Sequence, residues 1–295
     1  MAPSRAAASK ALLRPLHGDH GRGFASSSAS TSSSSSSSSP AYTSVNPAEV
    51  AHFNALASSW WDPHGSSRIL HLMNPLRHDF IRSCHAVQPE PLSPAHKLRY
   101  LDVGCGGGIF AESAARLPTT ASVTAVDPTP EVLKIARAHA ARDPSLASKL
   151  QYVSGTIETL PSPGDESDRY DIVSLFEVIE HVDTPSAFLE RCGQFVRPGG
   201  WLVLSTIART WTSWFTTNFM AEDVLKIVPK GTHDWSKYIN SEELRRYFAQ
   251  RPGWSAPRVM GVVYVPGLGW KEVPGSEAVG NYFFAVQREE ARSEA

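Results

Sequence analysis

The stretch Leu101-Asp102-Val103-Gly104-Cys105-Gly106-Gly107-Gly108 decides the fold of this 295-residue chain. It places a short apolar run directly before a cluster of glycines, and a helical pattern over residues 109–116 follows. This order predicts a strand, a tight turn and a helix. In an open α/β sheet, ligands bind outside the carboxyl ends of the strands, and glycines there let the backbone approach a ligand closely. We therefore expect a ligand beside this turn.

Short apolar runs alternate with helical patterns on both sides of the glycine turn. Further strands are predicted at 122–126, 152–153, 170–175, 201–206, 257–265 and 282–286. Helices are predicted at 48–59, 69–87, 130–142, 185–196 and 241–248, the last with Ser241 as its N-cap. This alternation is typical of a mostly parallel sheet with helices on both faces.

The residues around the turn narrow the class of ligand. Asp127 ends the second predicted strand, where a carboxylate can accept hydrogen bonds from both hydroxyls of a ribose. Ile109 stands where the dinucleotide fingerprint requires a third glycine, which disfavours a nicotinamide cofactor. Asp102 favours a cationic ligand, such as S-adenosylmethionine (SAM) with its sulfonium and amino groups. A nicotinamide site and a turn without any ligand remain as alternatives.

The glycine loop, the acid after the second strand and Pro198-Gly199-Gly200 before the fifth strand resemble class I methyltransferases. Longer stretches resemble one of their families, the ubiquinone-biosynthesis O-methyltransferases of bacteria and mitochondria. These stretches are Trp60-Trp61-Asp62, Asn74-Pro75-Leu76-Arg77, Phe176-Glu177-Val178-Ile179-Glu180-His181 and Val228-Pro229-Lys230-Gly231-Thr232-His233-Asp234. The likeness covers about residues 48–250 and is weaker toward the C-terminus.

The resemblance implies a fold, a cofactor and a reaction. The fold would be α/β, with a Rossmann-like, mostly parallel sheet of seven strands, an antiparallel last strand, helices on both faces and an N-terminal helical extension. The cofactor would be SAM, with Arg77 at its carboxylate, Gly104 along the methionine portion, Asp127 on the ribose and Phe176 beside the adenosine pocket. The reaction would be O-methylation of catechol and quinol hydroxyls on polyprenylated precursors of ubiquinone, namely a dihydroxy-polyprenylbenzoate and demethylubiquinol.

An acidic cluster follows the fourth predicted strand. Glu177, Glu180 and His181 have helical spacing and would share one face of a helix. Two carboxylates and an imidazole suit a divalent cation, and we choose Mg²⁺ over Zn²⁺ or Mn²⁺. The cation would lower the pKa of a catechol hydroxyl. As alternatives, the carboxylates only favour a helix N-terminus, or His181 is a general base without a metal. His233 is a further candidate ligand or catalytic base, or an ordinary loop residue.

The first forty residues have the composition of a targeting segment. They contain four basic residues and one acidic residue, and they end in a serine run over residues 32–39. This pattern is typical of a mitochondrial transit peptide and a flexible spacer, although a disordered tail would also fit. Residues 41–295 would then form one methyltransferase domain. We expect the protein on the matrix side of the inner membrane, peripherally attached, because no apolar run is long enough to span a bilayer.

Residues 207–240 interrupt the alternation of strands and helices. Aromatic residues crowd residues 208–229, which could form a lid over the site, contact the membrane interface or pack as an ordinary core helix. The resemblance also implies other ubiquinone-biosynthesis subunits as partners, in a membrane-associated complex.

Two other functions fit parts of this sequence. An RNA 2′-O-methyltransferase would carry a similar E-x-x-E-H pattern, but the near-neutral charge and the lack of a basic run argue against nucleic acid. A non-catalytic subunit of a biosynthetic complex is disfavoured by the intact glycine loop.

Overall fold

The computed structural model describes residues 43–65, 67–89, 91–210 and 237–290. Within these ranges the chain forms one eight-stranded sheet flanked by helices. The strands are β1 (Leu98–Val103), β2 (Thr120–Asp127), β3 (Leu150–Ser154), β4 (Tyr170–Phe176), β5 (Val196–Ile207), β6 (Arg258–Val265), β7 (Gly269–Glu272) and β8 (Asn281–Gln287). The helices are α1 (Pro47–Leu56), α2 (Arg68–Val87), α3 (Ile109–Arg116), α4 (Pro130–Ala140), α5 (Pro185–Gln194) and α6 (Ser241–Ala249).

The order of the strands in the sheet is β3-β2-β1-β4-β5-β8-β6-β7. Strands β1 to β5 pair in parallel, and β8 lies antiparallel between β5 and β6. The direction of chain progression reverses between β1 and β4, so this is the switch point at which ligands bind in such sheets. The predicted α/β class with a mostly parallel sheet and an antiparallel late strand is confirmed.

The sheet has one strand more than the seven expected. The turn after β6 reverses the chain, and the four-residue β7 pairs with β6 at the edge of the sheet. Such a short edge strand has no clear hydrophobic period, so the sequence pattern did not indicate it.

The N-cap of α6 also differs from the prediction. Asn240, not Ser241, caps this helix. The Asn240 side chain accepts from the backbone of Glu243, and the Glu243 carboxylate accepts from the Asn240 N–H at 2.8 Å. This reciprocal capping box satisfies two helix-end donors at once, which a serine one position later would not do.

The core lies on both faces of the central strands. Leu101, Val173 and Leu204 are completely buried. The predicted N-terminal helical extension is present: α1 contacts α4, and Trp60 packs with Ile109 at the start of α3. The extension therefore lies at the carboxyl edge of the sheet. In the described part of the chain, no helix combines the length and the apolar character needed to cross a bilayer.

Candidate active site

A cavity of about 610 Å³ opens at the carboxyl ends of the parallel strands. Its lining includes the glycine loop after β1, the acid that ends β2 and the residues that follow β4. Side chains of α1 and α2 also line it, so the N-terminal extension forms one of its walls. The structure thus brings together in one cavity every predicted site residue that it describes: Arg77, Gly104, Asp127, Phe176, Glu177, Glu180 and His181.

The glycine loop has a backbone that only glycine tolerates easily. Gly104 and Gly106 have φ values of 70° and 53°, in the left-handed region. A Cβ on Gly106 would lie 2.4 Å from the Trp60 ring, and one on Gly104 would lie 2.5 Å from the Val178 side chain. The loop therefore needs glycine both for its backbone conformation and for the close packing around it.

Asp127 holds the glycine loop in this conformation. Its Oδ2 accepts from the Gly106 N–H at 2.8 Å, and its Oδ1 accepts from the Thr129 N–H at 2.9 Å. Burial raises the pKa of Asp127, and these hydrogen bonds act against that increase. Each carboxylate oxygen keeps a second lone pair, so Asp127 can still accept from the hydroxyls of a bound ribose.

Arg77 is a buried cation that is held in place from its own helix. One turn before Arg77, the Asn74 side chain joins α2 to α3 by donating to the Ser113 hydroxyl at 2.8 Å. The Arg77 guanidinium carbon lies 4.8 Å from the centroid of the Phe176 ring. Phe176 in turn packs edge-on against Phe110, with centroids 4.7 Å apart. The aromatic ring predicted for the adenosine pocket therefore lies directly beside Arg77.

The Arg77 guanidinium has donors to spare. Its Nε is buried and has no hydrogen-bond partner among the described residues, and its side chain lines the cavity. Burial lowers the pKa of Arg77, while the charges of Glu177 and Asp102 raise it. A buried guanidinium with an unpaired donor is costly, and an anion with two oxygens is the ligand that fits its fork. This arrangement fits the carboxylate of SAM.

Asp102 provides a complementary charge at the end of β1. Burial raises its pKa to about 7, although the Ser174 hydroxyl donates to its Oδ1 at 2.7 Å. A cation that enters the cavity would favour the ionised form of this carboxyl. The cavity thus offers an anion site, a cation site and a glycine cradle, and the described residues fit SAM.

The predicted helix over the acidic cluster is wrong. Glu177 has a left-handed φ of 56°, and only a 3₁₀ turn, Ile179–His181, follows it. The backbone N–H of Glu177 donates to the carbonyl of Ser205, which fixes this conformation after β4. The three side chains therefore do not share a helix face, although all three line the cavity.

Each member of the cluster has its own protein partner. Glu177 accepts from the Ser205 hydroxyl at 2.5 Å, and Glu180 accepts from the Thr206 hydroxyl at 3.0 Å. His181 Nδ1 lies 3.0 Å from a carboxylate oxygen of Glu49, which comes from α1.

The titration of the cluster follows from burial and charge. Burial raises the pKa of Glu180 to about 7, and repulsion from Glu177 adds to this effect. Burial alone would lower the pKa of His181, but the hydrogen bond to Glu49 and the charge of Glu180 raise it overall. Two proton acceptors with pKa values shifted upward therefore lie together at the cavity wall.

The described residues do not fit the predicted magnesium site. In residues 43–65, 67–89, 91–210 and 237–290, no three His, Cys, Asp or Glu side chains are grouped so that they could hold a metal ion. The partners of Glu177, Glu180 and His181 explain this, because each side chain is turned to its own hydrogen bond. His233 lies outside the described residues, so its predicted role stays a prediction.

Apart from Arg77, sequence reasoning gave no role to the residues of the N-terminal extension. Trp60 covers the glycine loop, and Trp61 Nε1 donates to the carbonyl of Gly107 at 2.9 Å. Phe53 packs edge-on against His181 with ring centroids 5.1 Å apart, beside the Glu49 contact. In the sequence, the adjacent Trp60 and Trp61, which precede the glycine loop, were the feature that could have indicated this wall of the site.

Comparisons with known proteins agree with this geometry. A family model described as "Methyltransferase domain" matches residues 77–254. Curated proteins named "Ubiquinone biosynthesis O-methyltransferase, mitochondrial" are 41% identical in Candida albicans, over 83% of this chain and 86% of the relative, and 39% identical in Saccharomyces cerevisiae, over 83% and 89%. A bacterial relative from Caulobacter, named "Ubiquinone biosynthesis O-methyltransferase", is 38% identical over 83% and 96%.

Solved structures share the fold at low sequence identity. A SAM-dependent methyltransferase from Thermotoga maritima superposes with a TM-score of 0.53 at 17% identity, covering 82% of this chain and 100% of that chain. A plantazolicin methyltransferase in complex with a monoazolic desmethylPZN analogue and SAH gives a TM-score of 0.55 at 16% identity, covering 82% of this chain and 97% of that chain.

Proposed function

We propose a specific reaction for this chain, which belongs to the family of ubiquinone biosynthesis O-methyltransferases. It is a SAM-dependent O-methyltransferase of ubiquinone biosynthesis. Its substrates are the catechol and quinol hydroxyls of polyprenylated precursors, a dihydroxy-polyprenylbenzoate and demethylubiquinol. The relatives favour this function over an RNA 2′-O-methyltransferase or a non-catalytic subunit.

One observation in the structure carries the proposed use of SAM. The buried guanidinium of Arg77 and the buried carboxyl of Asp102 line the same cavity as a loop whose glycines admit no side chain. An α-amino acid group linked to a sulfonium presents one anion and two cations, and this pair of charges complements it. When bound, SAM supplies a methyl group on a positively charged sulfur.

The side chains of this chain position the two reactants. Arg77 binds the amino acid carboxylate, Asp127 orients the ribose, and the glycine loop lets the backbone approach both. Methyl transfer is an in-line displacement, which needs mainly alignment of the attacking oxygen with the methyl group. The contacts of the N-terminal extension with the glycine loop keep this alignment and exclude water.

The attacking hydroxyl must lose its proton. Glu180 and His181 line the cavity near the donor site and are the candidate acceptors. With its pKa raised to about 7, Glu180 can hold a proton near neutral pH. His181, which the Glu49 carboxylate orients, is the stronger candidate for a general base because imidazole basicity suits proton removal at this pH.

The substrate class is tested by analysing lipids in cells that lack the protein. We expect an unmethylated dihydroxy-polyprenylbenzoate to accumulate, and re-expression of the wild-type chain to remove it. Accumulation of a fully methylated precursor would show that the chain acts elsewhere in the pathway.

A divalent cation remains a separate proposal from the methyl-transfer steps. It is supported by the repulsion between Glu177 and Glu180, which a cation would relieve. To bind it, the carboxylates would have to turn away from Ser205 and Thr206. The proposal predicts that chelator abolishes activity and that added Mg²⁺ restores it. Undiminished activity in excess chelator would reject the cation.

Cellular location is a further part of the proposal. The homologues from three yeasts and a plant are named mitochondrial, which supports import into mitochondria through residues 1–40. We propose that the mature domain, residues 41–295, then attaches to the matrix side of the inner membrane through residues 208–229, of which 211–229 lie outside the described residues. Its partners there would be other subunits of ubiquinone biosynthesis. Fractionation of mitochondria with carbonate extraction and protease protection tests the location, and a protein in the cytosolic fraction would contradict it.

A further inference from the structure

The cavity extends beyond the reacting groups to a second, apolar end. There it is lined by Met73 of α2, by Val262 and Tyr264 of β6 and by Trp270 of β7, while Val263 lines it from the other face of β6. The cofactor end, in contrast, carries Arg77, Asp102 and Asp127. In the strand order of the sheet, β4 lies between β1, which precedes the glycine loop, and β6. The carboxylates and the imidazole that follow β4 therefore lie between the charged end and the apolar end. One cavity therefore joins a charged end, a proton-accepting centre and an apolar end.

Two residues mark the opening of the apolar end. Val263 and Val279 line the cavity and are nevertheless 38% and 44% exposed to solvent. Residues that do both must lie where the cavity meets the surface. Leu268, in the turn of the β6–β7 hairpin, is 69% exposed, and Val273, directly after β7, is 39% exposed. The surface next to the opening thus combines these apolar side chains with charged ones, since the exposed Lys271 lies opposite Val263 on the neighbouring strand.

The opening is held by fixed contacts. Trp270 Nε1 donates to the carbonyl of Ile69 at 2.9 Å, which ties the hairpin to the first turn of α2. The Tyr264 and Trp270 rings pack with centroids 5.4 Å apart. These contacts fix the position of the hairpin beside α2.

We propose that the isoprenoid chain of the substrate leaves the cavity beside the β6–β7 hairpin, and that Val263 and Val279 contact its first isoprene units. The proposal rests on the proposed function. A ring that places a hydroxyl near Glu180 and His181 must direct its apolar substituent away from the charged cofactor end. The apolar end removes several isoprene carbons from water, which favours binding in proportion to the buried area.

Soluble substrates separate this role from membrane attachment. We would measure kcat/KM for dihydroxybenzoates carrying no, one, two or three isoprene units, without lipid. The double variant Val263→Thr and Val279→Thr keeps the β-branched shape and adds two hydroxyls to the opening. The matched control is Val87→Thr, which changes an exposed valine (54%) at the last residue of α2.

The proposal predicts that kcat/KM of the wild type rises with the number of isoprene units. In the double variant, the ratio of kcat/KM for prenylated over unprenylated substrate should fall about tenfold, and in Val87→Thr it should stay at the wild-type value. An unchanged ratio in the double variant would overturn the proposal. A defect that appears only with vesicles would also overturn it, because it would assign these residues to lipid binding.

Two further outcomes are kept apart. If the wild type methylates none of the catechols, the proposed function fails; if it methylates them all with no dependence on the isoprenoid chain, only this inference fails. Should the double variant not fold, Leu268→Ser removes an apolar side chain that is 69% exposed. It should lower kcat/KM severalfold for the substrates with two and three units, and an equal effect on all four substrates would overturn the proposal.

Discussion

Replacing Arg77 by methionine tests whether this residue serves ligand binding or the stability of the fold. Methionine has a similar length and no charge, so it leaves no unpaired donor in place of the buried guanidinium. In the protein without ligand, the variant loses the contact with the Phe176 ring, which contributes about 0.5–2 kcal/mol, and the attraction of the Glu177 and Asp102 charges. It also loses the cost of burying a cation with an unpaired Nε. These effects oppose each other, so we expect the free energy of unfolding to change by no more than about 1 kcal/mol.

Affinity for SAM should change much more. Each hydrogen bond between charged partners contributes about 1.5–3 kcal/mol, and about 1.4 kcal/mol corresponds to a tenfold change in Kd. Losing at least one such bond should therefore raise the Kd for SAM by about 10- to 100-fold. Arg77→Lys, which keeps the charge but not the planar fork, should give an intermediate Kd. Isothermal titration gives the Kd, and urea unfolding without ligand gives the stability.

The control is Arg288→Met. Arg288 donates through Nη1 to the carbonyls of Gly193 and Val196, at 3.1 and 2.9 Å, and it does not line the cavity. Its loss leaves carbonyls unpaired and should cost about 1–3 kcal/mol of stability with an unchanged Kd for SAM. An Arg77→Met protein that is destabilised by several kcal/mol and still binds SAM normally would refute the assignment of Arg77.

Three further predictions follow from the site. Gly106→Ala should destabilise the chain by about 2–4 kcal/mol, because it combines a left-handed backbone with a contact at 2.4 Å. The control Gly253→Ala, with φ 83° and nothing within 4 Å of the added Cβ, should cost only about 1 kcal/mol. Equal losses of stability in urea unfolding would contradict this prediction. Because burial raises the pKa of Asp102 to about 7, the folded state binds an extra proton near pH 5–6. The stability of the ligand-free protein should therefore fall as the pH rises toward 8, with at most about 4 kcal/mol coming from this carboxyl. Glu180, whose pKa is also raised to about 7, contributes to the same decline, so Asp102→Asn should make the decline smaller without removing it, and the same slope in both proteins would contradict the assignment. His181→Asn should lower kcat by about 10²–10⁴-fold with the Kd for SAM unchanged, and a variant with nearly full kcat would exclude His181 as the general base.

The parts of the fold that local sequence decides were predictable. The apolar run before the glycines gave β1 and α3, and the helix periods gave α2, α4 and α5 to within two residues at most ends. The first turn of α6 was less certain because Asn240 and Ser241 are adjacent and both suit an N-cap, and the capping box with Glu243 decided between them.

The acidic cluster could not be predicted because its geometry depends on distant parts of the chain. The conformation of Glu177 is fixed by Ser205 on β5, and His181 is oriented by Glu49, which lies 132 residues earlier. Helical spacing alone gave the cluster a common face that the structure does not have. The sequence singled out residues that the structure brings into one cavity, whereas tertiary contacts determined how they are arranged.

Transfer of an isotopically labelled methyl group by the purified chain tests the account at its centre. The protein is incubated with labelled SAM and a prenylated catechol, and the product is analysed by mass spectrometry and NMR. We predict that the label appears as a methyl ether on a ring oxygen, and that Arg77→Met reduces its formation at low SAM concentration. A chain that binds SAM and the catechol but leaves every ring hydroxyl unmethylated would contradict the account.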